Sequence, residues 1–311
     1  MSRFGLKNLL FLLLLTLVPS SGCDRSTSTS SSPTSPQVKV VATFLPMYWF
    51  TKAVAGDLAK VEVLVPPGTE IHEYQAKPKD VQAIAEADLI VKNGLGLEEF
   101  LQDTLKNAQN AKLKQIDASN GIQPLQEVSP LVKAEQQDHD HHASGNPHVW
   151  LDPVLAIKQV QNIRDGLIAA DPTNKATYEA NATTYIQRLQ ELDRQFKQTL
   201  QPYSNCTFVT FHDAYPYLAK RYQLQQVAVV EIPEDQLSPG DIAKTIATVK
   251  KYKVKALFGE PGVDNKLLSS LSKDLNLTLR SLDSLESGTL DPQHYFTAMK
   301  GNLQTIKSAC R

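Results

Sequence analysis

The chain is predicted to be an α/β protein of two lobes with mainly parallel sheets, joined by a long rigid helix. Three observations carry this expectation. Apolar β-branched runs alternate with helical patterns through the first half, which argues for βα units and a parallel sheet. The same alternation recurs in the second half. Between the two, residues 174–200 hold Tyr178, Ala182, Tyr185, Leu189, Leu192 and Phe196 on one face at three- and four-residue spacing, the stripe of a long amphipathic helix.

The elements follow in order. Residues 1–22 read as an export signal: Arg3 and Lys7 open it, Leu9 to Val18 form an apolar run, and Ser20-Ser21-Gly22 a small-residue cleavage region. That run is too short to span a membrane comfortably. Small residues leading into Cys23 resemble a bacterial lipoprotein signal, in which Cys23 becomes the lipidated first residue; Ser20 departs from the usual leucine, so cleavage by ordinary signal peptidase stays open. The Ser/Thr/Pro run to Pro36 cannot bury enough surface to fold, and residues 23–36 are expected to form a lipidated cysteine and a flexible tether.

Residues 37–170 are expected to form the N-terminal α/β lobe, 171–201 the linking helix and 202–311 the C-terminal α/β lobe. In the first lobe the strand candidates are Val38 to Phe44, Val61 to Val65, Leu89 to Val91 and Leu113 to Ile116. Met47 to Val54, Lys79 to Ala87 and Glu98 to Ala108 read as the helices between them. Pro153 to Ala170 and Asn174 to Leu200 are helices broken at Asp171-Pro172. In the second lobe Thr207 to Phe211, Val227 to Ile232, Val254 to Phe258 and Leu277 to Leu282 are strands, and Ser238-Pro239 opens a helix with an N-cap serine and a proline at the first position. A net charge of −1 leaves no basic footprint for nucleic acid. With Cys23 set aside, Cys206 and Cys310 are a possible disulfide pair in an oxidising compartment; two buried free thiols are the alternative.

The histidines point to chemistry. Four of the seven fall within ten residues, His139, His141 and His142 in an acidic run and His148 in the Pro-bracketed stretch Asn146-Pro147-His148-Val149-Trp150-Leu151-Asp152-Pro153. Imidazole is the commonest ligand for zinc and its neighbours. His72, His148, His212 and Asp283 all follow expected strands, on the carboxyl side of their sheets where open α/β folds place ligands. Two come from each half, so they can converge between the lobes. Three imidazoles and one carboxylate make an N3O set suited to tetrahedral zinc. Singly, each also fits a packing or capping role, and His139, His141 and His142 a solvated loop; the joint placement makes the metal reading. His294, in the last expected helix, is read as surface or packing.

Residues 67–80, the segment Asn93-Gly94-Leu95-Gly96-Leu97-Glu98, the block 146–153, Phe208 to Tyr215, and Glu260-Pro261 followed by Leu282-Asp283 recur in the order of a known family. With these motifs the chain resembles the metal-binding lipoproteins of bacterial ABC importers for zinc and manganese (the cluster A-I substrate-binding proteins), most like the high-affinity zinc members. The resemblance implies a non-enzymatic component that captures Zn2+, as transported ligand rather than cofactor, and delivers it to an ABC permease with its cytoplasmic ATPase. It implies a monomer, exported to the periplasm or the outer face of a membrane and held there by a lipid anchor. Carried across, His72, His148 and His212 are the imidazole ligands and Asp283 the carboxylate. Glu70 and Glu73 compete for the fourth place, because some zinc members use a carboxylate near the first histidine. The family also implies an auxiliary metal-collecting role for His139, His141 and His142. His212 stands where the manganese branch usually has glutamate, which favours zinc; a manganese-binding member is the alternative. Ser284 stands where the family commonly has proline. A zinc hydrolase with Glu73 or Glu260 as base is the rival class, but no His-Glu-x-x-His helix, nucleophile elbow or phosphate loop is present.

Overall fold

The computed structural model describes residues 37–126, 145–230, 239–252, 254, 256–261 and 266–311. The expected signal segment, Cys23, the tether, His139, His141, His142 and the Ser238 cap lie outside the described residues.

Two four-stranded sheets, each wholly parallel, make the frame. In the first, β1 (Val38–Ala42), β2 (Ala59–Val63), β3 (Leu89–Lys92) and β4 (Lys114–Asp117) lie in the order β2-β1-β3-β4. Helices α1 (Leu45–Ala55), α2 (Pro78–Ala85) and α3 (Leu101–Ala108) make the crossovers. The second repeats the plan with β5 (Thr207–His212), β6 (Gln225–Val230), β7 (Ala256–Gly259) and β8 (Thr278–Ser281) in the order β6-β5-β7-β8, and with crossovers α6 (Pro216–Arg221), α7 (Pro239–Tyr252) and α8 (Lys266–Asp274). In each sheet the connections leave the central pair, β1/β3 and β5/β7, in opposite directions. Such a switch point opens a crevice at the carboxyl ends of the strands.

Between the sheets run α4 (Pro153–Ala170) and α5 (Lys175–Leu200), and α9 (His294–Cys310) closes the chain. Prolines sit at the first position of α2, α4 and α6 and the second of α1, in the first turn where the missing N–H costs nothing. The break between α4 and α5 is held by Asp171, whose Oδ2 accepts from Asn174 Nδ2 (2.6 Å) and the Tyr178 hydroxyl (2.8 Å). At 26 residues α5 spans about 39 Å, and its stripe from Tyr178 to Leu200 is buried. One contiguous apolar cluster runs from Val40 and Trp49 through Leu189 and Phe196 to Phe208 and Phe258. Both halves therefore pack on the same core. A disulfide joins Cys206, just ahead of β5, to Cys310 at the end of α9, with the Cα atoms 5.8 Å apart, inside the usual bridging range.

The strands lie where the alternation puts them, with ends displaced by up to two residues: β2 starts at Ala59 and β6 spans Gln225–Val230. Helix α3 begins at Leu101 instead of Glu98, because Glu98 turns inward. Its carboxylate accepts from Thr43 Oγ1 (2.8 Å), Asn93 N (2.6 Å) and Gly94 N (3.1 Å), tying the ends of β1 and β3 together. Gly94 has φ +83°, and a Cβ there would lie 2.4 Å from Asp117 Oδ1, so this turn requires glycine.

Candidate metal centre

His72 is carried by the loop after β2. Gly68 turns that loop with φ +77°, the buried Ile71 roots it in the core, and Tyr74 and Lys77 close it. The Tyr74 hydroxyl and the Lys77 N–H both donate to Asp80 Oδ2 at 2.7 Å. Burial, with the Asp80 bond and charge, pushes the Tyr74 hydroxyl pKa up, so it stays a donor.

His148 precedes the short 3-10 turn Val149–Leu151 that leads into α4. Asn146 fixes its ring: the Asn146 Nδ2 donates to the Asp213 carbonyl (2.7 Å), and Oδ1 accepts the His148 N–H (3.1 Å). With the amide so oriented, His148 Nδ1, 3.0 Å from Oδ1, must be the donor, which leaves the Nε2 lone pair for other use.

His212 ends β5, and Glu260 follows β7, the two central strands of the second sheet. His212 Nδ1 donates to Glu260 Oε1 at 2.6 Å. A carboxylate only accepts, so the His212 Nε2 is likewise the lone-pair nitrogen of the neutral ring. Burial would lower the His212 pKa, but the Glu260 charge and hydrogen bond outweigh it and hold the pKa above the ordinary value.

The Nε2 atoms converge. His148 Nε2 is 3.1 Å from His72 Nε2 and 3.0 Å from His212 Nε2. Glu286 Oε1 is 3.6 Å from His148 Nε2. His72, His148, His212 and Glu286 offer donor atoms all within 4.8 Å of one another. A tetrahedron with metal–ligand distances of about 2.0–2.1 Å has edges of roughly 3.3 Å; the separations from His148 Nε2 are near that edge, and the wider pairs would draw in around an ion. Lone pairs of two neutral imidazoles facing each other at 3.0 Å repel unless a proton or a metal lies between them. His148 and His212 are wholly buried and Glu286 is 8% exposed, so an ion here would sit largely out of water.

The three histidines expected from the sequence are thus brought together. Asp283 is not with them. Its Oδ1 accepts the Leu285 N–H (2.8 Å) and its backbone is clasped by Asn302 on α9, at 2.8 and 2.7 Å. The carboxylate closes a turn, and the chain passes over Leu285 at φ +66° to deliver Glu286 instead. Glu70 stands 4.0 Å from His72 Nε2, but its Oε1 accepts the Ile71 N–H at 3.0 Å. Glu73 is exposed and lines, with His72, Glu99 and Asp103, an adjoining cavity of about 650 Å³. Glu260 bonds the Nδ1 side of His212, away from the point of convergence, so it is not placed as a base beside a metal-bound water. The sequence signal for Glu286 was slight, a lone carboxylate in the polar, glycine-containing run Ser284 to Thr289.

Residues 40–309 match the model of the family described as zinc-uptake complex component A, periplasmic (ZnuA). The zinc-binding lipoprotein AdcA of Streptococcus pneumoniae is 38% identical over 281 residues, 87% of this chain and 55% of that protein; the chain spans about half the length of such relatives. The high-affinity zinc uptake system protein ZnuA of Bacillus subtilis is 34% identical over 298 residues, 91% of each. Among solved structures, the Zn(II)-bound ZnuA-like domain of S. pneumoniae AdcA superposes with a TM-score of 0.73 at 35% identity, over 88% of this chain and 99% of that one.

Proposed function

The chain belongs to the zinc-uptake complex component A family, and on that footing we propose that it is the substrate-binding component of an ABC importer. It captures Zn2+ outside the cell membrane and hands it to a permease driven by a cytoplasmic ATPase. The zinc ligands are His72, His148, His212 and Glu286, with Asp283 shaping the turn that presents Glu286. Exported as the first residues suggest, the chain is anchored by a lipid on Cys23, acts as a monomer, and carries out no catalysis.

The observation that carries this reading is the convergence of three Nε2 atoms and one carboxylate in a nearly dry pocket. Two of those nitrogens are fixed as acceptors by Asn146 and Glu260. Three imidazoles favour zinc over manganese, which prefers oxygen donors. The buried carboxylates of Glu286 and Glu260, with Glu70 and Asp213 also acting on His212, offset the charge of a divalent ion. Metal analysis and competition titration of the mature protein, with zinc and manganese side by side, test the proposal. One tight zinc equivalent that manganese does not displace is expected; tight manganese or no tight metal would refute it.

A further inference from the structure

The segment that carries Glu286 belongs to the second half of the chain, yet it is gripped by side chains of the first. Beyond β8 it leaves the sheet as a strap from Ser284 to Thr289. At one end the Trp150 indole N–H donates to the Ser284 carbonyl at 2.8 Å. At the other the Trp49 indole N–H, from α1, donates to the Thr289 carbonyl at 2.7 Å. Glu286 lies between these two bonds.

The strap has little freedom inside that grip. Leu285 is fully buried at φ +66°, a backbone state leucine adopts only where its surroundings impose it. Gly288 has φ +145°, and a Cβ there would stand 2.5 Å from His294 Nε2. The His294 ring in turn packs on Trp49, centroids 5.2 Å apart. Trp150 also packs on His148, centroids 5.1 Å apart, so one indole meets both a histidine of the cluster and the strap bearing its carboxylate.

We propose that Trp49 and Trp150 are positioning residues for the fourth zinc ligand. Their indole N–H groups hold the two ends of the strap, and Glu286 reaches the three imidazoles only while they do. Zinc affinity is thereby coupled to the seating of the second half of the chain on the first, and loss of either bond lets the carboxylate swing out of the coordination sphere. This rests on the reading of Glu286 as a zinc ligand.

Trp49→Phe is the sharper test, because it keeps an aromatic ring in the core while removing the donor, although the smaller ring also leaves a cavity at this fully buried position. Thr289 is exposed, so water can reach its end of the strap, while the cavity left by the smaller ring should by itself lower the metal-free melting temperature. Zinc affinity and zinc-induced thermal shift are measured on wild type, W49F, E286Q and W49F/E286Q. Expected is a loss in W49F of about 10- to 100-fold, the usual cost of removing a group that orients a metal ligand. In the E286Q background the same change should cost almost nothing, since the ligand it positions has gone. Because the smaller ring lowers the melting temperature in any case, the discriminating readout is zinc affinity: a purely structural role for Trp49 would add its full effect on affinity to that of E286Q. Gly288→Ala, which leaves the Trp49 donor in place but crowds the His294 ring packed on Trp49 and so displaces the strap, should show the same loss and the same non-additivity. Wild-type affinity in W49F, or additivity in the double variant, would overturn the proposal. Wild-type affinity in E286Q would overturn the ligand assignment beneath it.

Discussion

Asp283, just ahead of the strap, and Glu286 within it are three residues apart, and the geometry separates their roles sharply enough to measure. In Glu286→Gln the side chain keeps its volume, but the carboxylate whose Oε1 lies 3.6 Å from His148 Nε2 becomes a neutral amide. Structural zinc sites with four protein ligands bind with apparent free energies of about 10–16 kcal/mol. Shared over four ligands that is roughly 2.5–4 kcal/mol each, or about 100- to 1000-fold in Kd. Asp283→Asn retains an Oδ1 that can accept the Leu285 N–H now 2.8 Å away. Its effect should stay within about threefold, the equivalent of weakening one neutral hydrogen bond. Competition against a chromophoric zinc chelator at neutral pH reads both variants on one scale. A large loss in D283N with near-normal binding in E286Q would refute the assignment and return Asp283 to the fourth position.

Zinc uptake should release protons, because Glu260 holds the His212 pKa above 6.5 while zinc needs the bare Nε2; calorimetry in buffers of different ionisation heat should show it, less so in E260Q, and buffer-independent heats would refute it. The raised value also sets the sign for stability. The metal-free protein has this contribution in full below 6.5 and loses it as pH rises through the folded pKa, so over that window the zinc-induced gain in Tm should grow with pH; a flat gain would count against it. The Cys206–Cys310 bridge closes a loop with a sequence separation of 104, for which chain entropy predicts about 4–5 kcal/mol. The double serine variant should melt on the order of 10 °C lower with unchanged zinc affinity, and a shift within error would show that the bridge constrains little.

Most of the frame was legible because it rests on local periodicity. The runs of the inner strands β3, β5 and β7 are buried on nearly every residue, those of the edge strands β2, β4 and β8 only in part, and the stripe of α5 is spaced for a helix whatever packs on it. His72, His148 and His212 could be placed because each follows a strand directly or sits in a loop fixed by prolines, where chain direction alone puts it at the carboxyl edge. The fourth ligand proposed here, Glu286, was not legible for the same reason. Adjacency to a strand selects Asp283, but adjacency does not report where a carboxylate points once the chain turns. That turn depends on Asn302 from α9 and on a buried Leu285 at positive φ, and sequence spacing encodes neither. His294, read as surface or packing, is a packing residue; the fold adds which neighbours it meets, Trp49 and the backbone at Gly288. Three imidazoles thus come from positions that secondary structure alone dictates, whereas the carboxylate is placed by contacts between the halves.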